Sequence, residues 1–90
     1  MKFLHYEVDA QAGDVVEVSI DRAANVQLLD GANFENYSKG QTFRYSGGYA
    51  TTTPVRLPVP QDGRWHVIID LGGGAGHVRA SVRAMSGTKA

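Results

Sequence analysis

Three histidines, His5, His66 and His77, have the widest chemical reach in this 90-residue chain, because a neutral imidazole can bind a metal or carry a proton near neutral pH. Their spacing does not gather them. They fall on three separate predicted strands, and no cysteine is present to complete a ligand set. His66 and His77 become neighbours if the strands on either side of the glycine run at 72–76 pair as a hairpin. Asp70 shares the predicted face of His66, but four residues along a strand is about 13 Å, beyond hydrogen-bond reach. No metal site and no cofactor are expected.

Nucleophilic and acid–base chemistry find equally little support. No serine sits in a Gly-x-Ser-x-Gly elbow. Asp9 and Asp14 flank one predicted turn and Asp62 lies in another, so the carboxylates form no working pair. The run Gly72-Gly73-Gly74-Ala75-Gly76 could cradle an anion with its N–H groups, but it lacks a Gly-Lys-Ser/Thr ending and no helix is predicted after it. It reads as a hairpin loop. The chain is therefore expected not to be an enzyme, with no catalytic residue assigned.

Two groups of residues suit contact rather than catalysis. Tyr37, Tyr45 and Tyr49 lie with Asn33 and Asn36 in one polar stretch, where amphipathic rings beside amides could hold a sugar, a peptide or a partner surface. The plainer reading is that Phe34 and Tyr37 cover one end of the core. Arg64, Arg79 and Arg83 could form a stripe on the outer face of the last two strands and meet an anionic partner. The plainer reading there is solvated charge that discourages edge-to-edge aggregation.

The elements that must position these residues are short strands of period-two alternation, separated by Gly, Pro, Asn and Asp. They are predicted over residues 2–8, 15–20, 25–29, 41–46, 55–59, 64–71 and 77–84, with residues 49–53 as a loop or edge strand. Val16, Val18 and Ile20 point inward, as do Val26 and Leu28, then Val55, Leu57 and Val59, and finally Val78, Ala80, Val82 and Ala84. The strongest strand is Arg64–Leu71, with Trp65, Val67, Ile69 and Leu71 on one face and Arg64, His66, Ile68 and Asp70 on the other. Between strands, Asp30 can cap a single helical turn that places Phe34 and Tyr37 on one side and ends at Gly40. Gly47-Gly48 and Pro60-Gln61-Asp62-Gly63 read as turns. The prediction is an all-β antiparallel β-sandwich of jelly-roll type with seven or eight short strands. Residues 1–85 form a single domain and 86–90 a frayed tail.

The stretches NVQLLDGANFENYSKG, FRYSGGY and LPVPQDGRWHVIIDLGGGAGHVRASVR resemble the bacterial "domain of unknown function" 1883 family, and the likeness runs from His5-Tyr6 to Arg83. The resemblance implies a small bacterial sandwich-like domain, found alone or joined to Toll/interleukin-receptor domains. It carries no established activity, so no catalytic residue transfers.

Composition sets the remaining bounds. A 9.7 kDa chain without cysteine must fold on packing alone, and it is long enough for one core. No apolar run approaches a membrane span and no apolar leader follows Met1, which gives the expectation of a cytoplasmic protein. Nine basic and nine acidic residues cancel. Two basic residues face seven acidic ones in residues 1–38, and seven face two in residues 39–90. Interleaved strands would let these signs pair across the surface, so nucleic acid is not an expected partner. The leading expectation is a non-catalytic interaction or ligand-binding module. The alternative is a self-association domain making a homo-oligomer, with Ile68 in a dimer contact, and an enzyme of unidentified type stands third.

Overall fold

A computed structural model of the chain describes residues 3–72 and 76–86. Its seven strands are β1 (Leu4–Ala10), β2 (Val15–Ile20), β3 (Ala24–Asp30), β4 (Ser46–Ala50), β5 (Val55–Pro58), β6 (Gly63–Asp70) and β7 (Ala80–Met85). One helix, α1 (Gly31–Ser38), interrupts them after β3. Two antiparallel sheets result, of order β1-β6-β3-β4 and β5-β2-β7, and together they make the predicted all-β sandwich.

The core lies where alternation aims it, except at Ala84, which is exposed near the end of β7. Val16, Val18 and Ile20 of β2 meet Val26 and Leu28 of β3 and Trp65, Val67 and Ile69 of β6 in one buried cluster. Leu57 and Val59 close it from the β5 side, and Val78, Ala80 and Val82 pack against it from the other. Trp65 anchors its strand twice, by burial and by donating from Nε1 to the Gln61 carbonyl at 3.0 Å. On the side where β1 lies over β7, the Tyr6 hydroxyl donates to the Ala80 carbonyl and ties the two sheets together.

Four local expectations are corrected. The strand predicted at 41–46 is displaced to Ser46–Ala50, because Phe43 packs edge-on against Tyr37 of the helix, and Tyr45 against Phe43, rather than on a sheet. Gly47 and Gly48 accordingly lie inside β4 and make no turn. At Gly47, φ is +110°, and a Cβ would collide with the Val26 carbonyl oxygen, so only glycine lets β4 lie this close to β3. The helix has two turns rather than one: Asp30 accepts from Asn33 N at 2.8 Å to cap it, and Gly40 follows with φ +74°.

The fourth correction concerns topology. Beyond the glycine run the chain does not return beside β6. Both edges of β6 are already occupied, by β1 and β3, so β7 crosses to the other sheet and pairs with β2. His66 and His77 are therefore not hairpin neighbours. Residues 73–75 of the glycine run, Lys2 of the first predicted strand and most of the predicted tail lie outside the described residues. No helix among the described residues is long and apolar enough to cross a membrane.

Candidate functional site

The outer face of the four-stranded sheet carries the chemistry. Helix α1 lies across it, because Asn33, Phe34, Asn36 and Tyr37 recur at helical spacing and turn the half-buried side of the helix toward the strands. Beneath it Leu29, His66 and Ile68 are buried. Ile68 has no exposed surface, which removes it from any dimer contact; the face taken from alternation as solvent-facing is covered by the helix.

Strand pairing builds the polar centre. β1 runs beside β6 with Glu7 opposite His66 and His5 opposite Ile68, so His5, Glu7 and His66 share one face. His5 Nε2 lies 2.9 Å from His66 Nδ1. Their ring centres are 5.1 Å apart and their planes differ by 20°, so the 2.9 Å gap plus one ring radius at each end accounts for the spacing: the imidazoles meet edge to edge, almost in one plane. Phe34 stacks on both, its centroid 4.3 Å from each, with interplanar angles of 18° and 2°. That triangle places the phenyl ring about 3.5 Å above the midpoint of the nitrogen bridge, at van der Waals contact.

The electrostatics follow from the neighbours. Burial pushes the His66 pKa below its ordinary value, the adjacent His5 and, more weakly, Arg64 lower it further, and Glu7 and Asp30 oppose them. Arg64 is held more firmly protonated by its hydrogen bond to Asp9, at 3.1 Å, and by the charges of Asp9 and Glu7. Its Nη1 also reaches Glu7 Oε1 at 3.3 Å. Among the described residues, His5, Glu7 and His66 form the group able to hold a metal, with their ligand atoms all within 4.8 Å of one another.

The predicted tyrosine and asparagine stretch is drawn together only in part. Asn33 supports the fold: Nδ2 donates to Asp30 Oδ1 and Oδ1 accepts from Arg44 N at 2.7 Å, which pins the 41–45 loop to the helix. The Asn36 carbonyl accepts from Lys39 N and Gln41 N at the helix end. Tyr37 packs edge-on against Phe3 and Phe43, and burial, helped by nearby Asp70, raises its pKa. Tyr45 and Tyr49 remain largely exposed, Tyr49 at 67%.

The arginine stripe does not form, because the strands that were to carry it belong to different sheets. Arg64 sits on β6 beside Glu7 and Asp9, whereas Arg83 sits on β7 against Glu17 of β2. Arg79 precedes β7, and its backbone N–H donates to Asp21 Oδ1. Glu17 itself is buried to 8% exposure on the outside of the three-stranded sheet. Arg56 and Arg83 flank it from the neighbouring strands at 3.2 and 2.8 Å.

A cleft of about 370 Å³ opens at one end of the sandwich between Phe3, Leu4, Leu71 and Val78, with Asp70 and His77 on its wall. Asp70 Oδ1 is already engaged there by Asn25 Nδ2 and Gly72 N, at 3.0 and 2.7 Å.

Sequence reasoning missed the histidine bridge and the role of Glu17. The alternation His5-x-Glu7 was a signal that both side chains share a face, but their meeting with His66 depends on which strand lies beside β1. No curated protein and no solved structure matches the chain. The family described as "Domain of unknown function (DUF1883)" matches residues 1–88, and the chain belongs to that family.

Proposed function

We propose that the domain is a non-catalytic binding module that takes an extended peptide segment of a partner protein along the free edge of β4. Each sandwich edge presents unpaired backbone donors and acceptors, and proteins ordinarily guard such edges with charge, proline or cover. β5 has Pro58 and Arg56, β1 has His5, Glu7 and Asp9, and β7 has Arg83 with the Tyr6 contact over Ala80. The edge strand β4, Ser46-Gly47-Gly48-Tyr49-Ala50, has none of these guards, and its pairing to β3 runs unbroken from Ala50 to Ser46. That contrast carries the reading. Tyr45 and Tyr49, exposed at 49% and 67%, stand at the two ends of this strand as apolar grips for alternate side chains of an added strand.

Selection of binders from a displayed library of unstructured peptides, followed by amide-shift mapping on the domain, tests the proposal. Perturbations centred on Ser46–Ala50 and abolished by Tyr49→Lys are expected. Binders mapping elsewhere, or none, would overturn it. A concentration-dependent dimer that disperses in the same variant would replace it with self-association through that edge.

A further inference from the structure

We propose that His5, Glu7 and His66 form a binding site for a borderline divalent transition metal, Zn²⁺ foremost. The metal takes the place of the proton between the two imidazoles. Ligands at i and i+2 on β1 project from one face, and the third comes from the residue of β6 directly opposite Glu7. No long loop has to close to bring the three together. His5 Nε2 and His66 Nδ1, at 2.9 Å, are already near the roughly 3.4 Å separation of two ligands on a tetrahedral Zn²⁺ with bonds of about 2.0–2.1 Å. All three ligand atoms lie within 4.8 Å, so Glu7 has to move by little more than a bond length to close the set.

The surroundings divide the labour. His66 is buried under Phe34 and cannot swing away, which supplies one fixed ligand. His5 and Glu7 are exposed, on the open side of the site from which an ion would arrive. Two neutral nitrogens and one carboxylate are a donor set that suits Zn²⁺ and leaves a fourth position for water or an anion. The competing influence is Arg64, whose guanidinium holds Glu7 at 3.3 Å and adds positive charge beside the site.

The probe is Zn²⁺ itself, titrated by calorimetry into the untagged chain at about pH 7.5, where free histidine is neutral. Imidazole nitrogen resonances are followed in parallel. One equivalent is expected to bind, with the largest shifts at His5 Nε2 and His66 Nδ1. His5→Gln alters an exposed residue, so the fold should survive, which circular dichroism checks; it should weaken binding by about tenfold or more. Arg64→Gln should tighten it by freeing Glu7, and His77→Gln should leave it unchanged. Absence of saturable binding at high micromolar Zn²⁺, unaltered affinity in His5→Gln, or loss of binding in His77→Gln would overturn the assignment. The β4 edge plays no part in these readouts.

Discussion

His5 Nε2 and His66 Nδ1 meet across 2.9 Å beneath the ring of Phe34. One nitrogen must donate and the other accept, so protonating both rings would leave no acceptor at the bridge and place two cations side by side. Helix α1 rests on this bridge through Phe34.

Stability should therefore fall on mild acidification. The folded pKa of His66 is depressed, chiefly by burial and then by His5. The unfolded chain takes up its proton first as pH drops through the ordinary histidine value of 6.5. The stability tied to neutral His66 is complete above that value and is lost as pH falls from it toward the folded pKa. Urea midpoints should decline as pH falls below about 6.5, before most carboxylates begin to titrate. His66→Gln should flatten that slope even if it lowers the plateau. A flat profile in the parent chain would show that the bridge does not couple to folding.

A second prediction concerns Glu17. With its carboxylate buried between Arg56 and Arg83, it pairs with two cations whose strands flank β2. Glu17→Gln keeps the volume but leaves the guanidiniums facing each other across β2 without an anion. The expected cost is about 1–2 kcal/mol at low salt, since charge-assisted bonds exceed neutral ones and both arginines remain solvated. The cost should shrink as salt rises. Equal melting temperatures for the two proteins at low salt would show the triad to be energetically idle.

The division between what the sequence reveals and what it hides follows the range of the forces involved. Alternation in Val15–Ile20 and Gly63–Asp70 identifies strands and their inward residues, because that signal is local to each strand. The Asp30 cap and the Gly40 stop are also local, and they locate the helix. Strand pairing is not local. His66 looks solvent-facing from alternation alone, yet it is buried because α1 folds back over that side of β6. Phe43 and Tyr45 look like a strand, yet Phe43 packs on Tyr37 of the helix and Tyr45 on Phe43. The arginine stripe required β6 and β7 to be neighbours, and the occupied edges of β6 forbid it.

The inward assignment of Trp65 can be tested directly, because it is the chain's single tryptophan and its fluorescence reports one site. Its indole is 6% exposed among Val16, Val67 and the other core residues, so emission should be blue-shifted in the folded state and move to the red on unfolding. Trp65→Ala should cost about 3–5 kcal/mol, the range for emptying a large aromatic site that collapses only partly. Trp65→Phe keeps most of the apolar contact but deprives the Gln61 carbonyl of its donor, and should cost roughly 1–2 kcal/mol. The order of the two variants carries the argument: packing dominates if alanine is far worse than phenylalanine, whereas equal losses would place the energy in the hydrogen bond to the 61–62 turn. A loss below about 1 kcal/mol for alanine would be incompatible with a buried indole and would reverse the facing of the whole β6 strand.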